Sequence, residues 1–266
     1  MIRSIVGPLS AAVLLVACSA PGMKTASPGE VAERPAADQP VTTEARRVAR
    51  AHVELGTAYL QASKMGTAME EARLAIAIDP AYAPGYHLLG QVHMFLEEKD
   101  AAQKAFDAAL ARAPGDPDIN NPYGWFLCVN GREQDGLAML AKSAQNPFNT
   151  TPTRPLTNSG LCYLRLKDEK NAADRFAKAL AADPTNSIAA YQLGEIAFRQ
   201  GDYTRARDLA TELNQNSEPT PESVWLGLRA ERKLGNQEAE ATYVAQLRNK
   251  FRSSKQYQDY LAGRFE

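Results

Sequence analysis

Six glycines constrain this chain more than any other feature: Gly56, Gly90, Gly124, Gly160, Gly194 and Gly227, spaced by 34, 34, 36, 34 and 33 residues. Five of them sit midway through a helical pattern, after a large or polar residue. Glycine inside a helix costs about 1 kcal/mol relative to alanine. One that recurs six times therefore needs a packing reason, namely a second helix passing close by. Twelve residues after each glycine comes a small residue (Ala68, Ala102, Gly136, Ala172, Ala206, Ala239), read here as the other side of that contact. Four residues further on stand Ala72, Phe106, Leu140, Phe176, Ala210 and Tyr243. Proline closes the unit at Pro80, Pro114 and Pro184, with Pro147 and Pro219 one place off, stopping the second helix and opening a turn.

Period and pattern resemble the tetratricopeptide repeat, a helix–turn–helix unit of 34 residues. The units read as 49–82, 83–116, 117–150, 153–186, 187–220 and roughly 221–253, with the third and sixth matching least well. The expected fold is all-α: a right-handed α-solenoid of about six repeats over residues 44–266, closed by a capping helix in SSKQYQDYLAGRFE. In this repeat family the first helices line a concave face, with positions two, five, nine, twelve and thirteen pointing into it. The resemblance therefore implies a protein-binding groove. It would contain His87, Gln91, Met94 and Phe95 in unit two, and Asn121, Trp125, Cys128 and Val129 in unit three. Unit four would add Thr157, Leu161, Leu164 and Arg165, and unit five Tyr191, Glu195, Phe198 and Arg199. Such a mix of aromatic, amide and arginine side chains suits peptide recognition, although inter-repeat core is an equal use for each aromatic. The basic clamp of chaperone-binding repeats is not visible: Val53 and Thr57 hold its slots.

The start, MIRSIVGPLSAAVLLVACSA, has one arginine and then an apolar run too short to span a bilayer comfortably. It reads as a secretory signal over residues 1–17, and LVAC resembles a bacterial lipoprotein box with Cys18 as the lipidated residue. An ordinary signal peptide with an incidental cysteine is the alternative. Ser19 stands where an inner-membrane lipoprotein often carries Asp, so the resemblance implies the outer membrane, lipid-anchored through acylated Cys18 and facing the periplasm. Residues 18–43, rich in proline and small residues, are expected to be a disordered tether.

The densest stretch is NNPYGWFLCVNG, residues 120–131. Asn121 before Pro122 reads as a helix N-cap with proline at the first helical position. Cys128 and Cys162 lie near the middle of first helices in adjacent units. In an exported compartment a disulfide is their natural pairing; two buried free thiols are the alternative. No nearby cysteine or histidine pair supports a metal site.

With six repeats, a lipoprotein box, NNPYGWFLC and SGLCYL, the chain resembles the PilF/PilW family of type IV pilus biogenesis lipoproteins, the secretin pilotins. Family members typically carry Asn-Asn-Tyr-Gly in unit three, so Pro122 is a departure. The resemblance implies a scaffold that helps a PilQ-type secretin subunit reach, or assemble in, the outer membrane. A repeat lipoprotein serving another envelope machine is the alternative. The net charge of −1 gives no basic excess for nucleic acid. No cofactor, metal, small-molecule substrate or catalytic residue is expected. His52 and His93 fall on core positions, His87 has no serine or cysteine placed beside it, and no phosphate loop is present.

Overall fold

A computed structural model describes residues 32–265. The expected signal, Cys18 and the tether up to residue 31 lie outside the described residues. Thirteen α-helices and no strand occur among the described residues. Twelve of them pair as repeats: α1 (Glu44–Gln61) with α2 (Met65–Ile78), α3 (Ala83–Phe95) with α4 (Lys99–Leu110), and α5 (Pro117–Val129) with α6 (Glu133–Gln145). The series continues with α7 (Thr153–Arg165) and α8 (Glu169–Ala182), α9 (Ser187–Arg199) and α10 (Tyr203–Asn216), then α11 (Pro221–Leu234) and α12 (Gln237–Lys250). A short α13 (Lys255–Leu261) lies against α11 and α12. No described helix is long and apolar enough to cross a membrane.

First helices touch the first helices of neighbouring repeats, whereas second helices do not touch one another to a comparable extent. The first-helix layer is therefore the tighter, inner one, as expected of a tetratricopeptide solenoid.

The recurrent glycine does mark a close approach, but its partner differs from the one the spacing suggests. A Cβ on Gly90 or Gly160 would run into the ring of Phe106 or Phe176, at 2.9 and 2.5 Å, and one on Gly227 into Tyr243 at 2.5 Å. These rings lie sixteen positions on, not twelve. Where that position is alanine, at Ala72 and Ala210, a leucine from the next first helix fills the gap. Leu88 lies 2.6 Å from a Cβ on Gly56, and Leu226 lies 2.6 Å from one on Gly194. The small residues twelve on (Ala68, Ala102, Ala172, Ala206) are fully buried and let the second helix come near enough for this.

Repeat three departs from the rest. Both Gly124 and Gly136 lack a side chain, and a Cβ on Gly136 would lie 2.5 Å from both the Gly124 carbonyl oxygen and Cys128 Sγ. The helix pair closes on itself, and Leu140 stands where the second and fourth repeats carry Phe106 and Phe176. Helix α5 also begins earlier than expected. Asp116, not Asn121, is its N-cap: Oδ1 accepts from the backbone N–H of Asp118 (2.8 Å) and Ile119 (3.3 Å), and Pro117 takes the first helical position. Pro122 consequently lies inside the helix. Residues 120–128 therefore belong to the body of a helix. Tyr123, Phe126 and Leu127 pack on Phe106 as inter-repeat core, the Tyr123 and Phe106 rings stacking at 5.2 Å.

The expected tether also ends sooner. Residues 36–38 form a 3-10 helix, Ala36 is buried, and Glu33 to Ala36 bond to the second and third repeats.

Candidate functional site

The first-helix layer carries a cleft of about 510 Å³ running over repeats one to four. Thr57 and Gln61 of α1, His87 and Gln91 of α3, and Asp118 and Asn121 of α5 line it, with Arg154 of α7 and the Asn149–Thr151 turn on the far side. Helical spacing puts His87 and Gln91 on one face, and the stacking of first helices brings that face beside Asn121. The Asn121 side-chain oxygen accepts from Asn158 Nδ2 at 2.9 Å, tying α5 to α7 at the cleft floor. His87 Nε2 is buried without a partner, and burial pushes its imidazole down to about 4. It is therefore neutral at pH 7. Burial raises the Asp118 carboxyl, helped by the charge of Asp38 and opposed by Arg154. The lining thus mixes uncharged amides and hydroxyls with apolar side chains, and its charged groups are Asp116, Asp118 and Arg154. Such a surface can pair the N–H and C=O groups of an extended segment without strong selection for its charge.

The other expected groove residues are not gathered into this cleft. Phe95 projects into solvent with 58% of its surface exposed. Trp125 packs beside Cys128, Leu140 and Cys162, and Leu161 packs on the core of repeats four and five. Arg165 serves the scaffold: its Nε donates to the Cys128 carbonyl (2.9 Å), closing the end of α5, and it pairs with Glu133 at 3.7 Å. Tyr191 and Glu195 are occupied from within. Glu195 forms an ion pair with buried Arg229, whose guanidinium lies 4.5 Å from the Phe198 ring centroid and 5.8 Å from that of Trp225. Burial, with the Glu195 charge beside it, pushes the Tyr191 hydroxyl up to about 12. Phe265 stacks on Trp225 at 5.6 Å, beneath Arg232 at 4.0 Å. Own side chains therefore fill the groove positions of repeats five and six, leaving the open surface on repeats one to four. Arg229 sits at the ninth position of its repeat, so the register that selected Gln91, Trp125 and Glu195 was the signal that could have found it.

Cys128 and Cys162 are joined by a disulfide, with Cα atoms 5.7 Å apart, linking α5 to α7. The bond spans the junction that holds the two extra residues of the repeat series. Among the described residues, no group of three or more His, Cys, Asp or Glu side chains is placed to hold a metal ion.

The fold and the inner-face cleft define a tetratricopeptide-repeat protein, and comparison with known sequences agrees. Family models described as tetratricopeptide repeat match residues 49–82, 83–116 and 158–219. The chain is similar in particular to the type IV pilus assembly protein PilF of Pseudomonas aeruginosa, with 26% identity over 212 residues, covering 80% of this chain and 84% of that one. A solved structure of Pseudomonas aeruginosa PilF superposes with a TM-score of 0.76 at 25% identity, over 83% of this chain and all of that one. That of PilW, a widely conserved type IV pilus biogenesis factor, gives 0.73 at 26% identity, over 81% of this chain and 99% of that one. The Cut9–Hcn1 tetramer of the anaphase-promoting complex gives 0.65 at 16% identity, a likeness of fold alone.

Proposed function

We propose that this protein is a non-enzymatic scaffold of the type IV pilus machinery. It is held to the periplasmic face of the outer membrane by lipid on Cys18, and it binds a secretin subunit or another pilus component through the cleft of repeats one to four. The observation that carries the reading is the extent of likeness to PilF and PilW, which runs through nearly the whole repeat array and the full length of both solved structures. A cleft that carries Gln61, Gln91, Asn121 and Asn149 suits the recognition of an extended protein segment. The lipid anchor rests on the LVAC box of the leader. In this reading the scaffold works by binding one state of the secretin in preference to another, with the anchor supplying location.

Fractionation of cells lacking the gene tests the reading. The secretin subunit is expected to be depleted from the outer-membrane fraction and restored by the wild-type gene. An unchanged secretin distribution, with pili intact, would count against a pilus role. A Cys18→Ser chain recovered in the membrane fraction at parental levels would remove the lipid anchor.

A further inference from the structure

We infer that residues 33–38 are a strap latched through Asp116 onto the junction of the second and third repeats, beside the cleft and away from the free end of α1. Thr43 caps α1 at that free end, and the direct course would carry the chain straight off it. Instead the Ala36 N–H donates to Asp116 Oδ2 at 2.7 Å, and the Gly115 N–H donates to the Glu33 carboxylate at 3.2 Å. Asn146 Nδ2 bridges the two partners, donating to the carbonyls of Glu33 (2.9 Å) and Gly115 (2.8 Å). The Ala36 side chain packs among Ala83, Ala109, Ala113 and Ile119, and Arg34 lies over Phe148.

Two features of the repeats make sense only with the strap in place. Asp116 is 2% exposed and divides its carboxylate. Oδ1 caps α5, and Oδ2, which capping does not need, faces the strap. A buried oxygen without that donor would carry an uncompensated desolvation cost. The second feature is Gly115, whose φ lies outside the left-handed region. The three atoms nearest to a Cβ built there all belong to Glu33, at 3.1 to 3.3 Å, so the strap is what a side chain at this position would meet. The contacts cross 80 or more residues of sequence, so they are tertiary docking and not local folding.

Ala37 lines the cleft, so the strap is also part of its wall. The latch therefore docks Glu33 and Ala36 on the same repeats that carry the surface assigned to the partner. Presentation of the cleft near the membrane rests on the lipid-anchored reading above. The latch itself does not.

Amide hydrogen exchange on the full purified chain tests this. Asp116→Asn keeps an oxygen for the α5 cap and places an NH₂ where Ala36 needs an acceptor. Glu33→Ala weakens the latch from the strap side without touching a repeat. The Ala36 amide is expected to be protected in the parent and to exchange at least tenfold faster in both variants, with Asp118 and Ile119 still protected in Glu33→Ala. An Ala36 amide that exchanges at the unprotected rate in the parent, or that is equally protected in all three chains, would overturn the latch. Loss of the lipid anchor in the Cys18→Ser fractionation leaves this result untouched, so the two ideas fail separately.

Discussion

Asp116 illustrates how much one side chain can carry in this array. Burial pushes its carboxyl up to about 6, although three backbone N–H groups oppose the shift. A raised carboxyl binds its proton more tightly in the folded than in the unfolded chain. Its stabilising contribution is therefore complete below about pH 4 and is lost as pH rises through about 6. The span corresponds to at most about 3 kcal/mol. Urea unfolding between pH 4 and 7 should show the parent losing stability relative to Asp116→Asn over this window; parallel curves would contradict the assignment. Asp79 runs the other way. Its hydrogen bond with Arg46 holds the carboxyl low, so its contribution is present above the unfolded value near 4 and is lost as pH falls below it. At the same scale, Gly66 and Gly136 form a matched test. A Cβ on Gly66 meets nothing within 4 Å, whereas one on Gly136 meets backbone and sulfur at 2.5 Å. Gly66→Ala should stabilise by up to about 1 kcal/mol, and Gly136→Ala should destabilise by roughly 1–3 kcal/mol, both read from denaturant midpoints. The need for a close helix contact was legible in the sequence. Which atoms make it was not, because spacing along one helix does not say whether a ring sixteen positions on or a leucine from the next repeat fills the space.

At the scale of elements, the third and fourth repeats are the irregular pair, and the cystine joins them. Cys128 and Cys162 are 34 residues apart in sequence. Closing a loop of that size contributes about 3–4 kcal/mol through the unfolded chain. Reduction, or Cys162→Ser, should lower unfolding stability by that order, and a change under about 1 kcal/mol would show that packing of α5 on α7 suffices alone. The turns between helices supply a second test. Lys167 holds φ at +59° where the corresponding turns of repeats three, five and six use Gly131, Gly201 and Gly235. Lys167→Gly should be neutral to stabilising by up to about 1 kcal/mol, since the left-handed region disfavours a side chain. Helix boundaries were readable wherever a proline followed a helix, as at Pro80, Pro114 and Pro184. The sequence alone does not fix the start of α5, because Asn121-Pro122 and Asp116-Pro117 carry the same capping signal five residues apart. Only packing of Ile119 and Asn120 into the core selects the earlier one.

Across the described array, the period of the sequence reports the repeats, and the repeats report the inner face. What the period could not report is which part of that face stays open. Arg229, Phe265 and Glu195 close the last two repeats through contacts between elements, and the strap reaches Asp116 across 80 residues from a segment whose proline-rich composition reads as tether. Long-range pairing of this kind leaves no local pattern. The remaining cleft is the surface proposed to hold the partner. Gln91 lines it. The decisive measurement is quantitative co-isolation of the secretin subunit from piliated cells with the parent chain and with Gln91→Arg, after matched helicity and thermal unfolding establish that both fold. At least a tenfold loss of secretin is expected with Gln91→Arg and none with Phe95→Ala, which lies outside the cleft; equal recovery with Gln91→Arg and the parent would rule the cleft out as the binding surface.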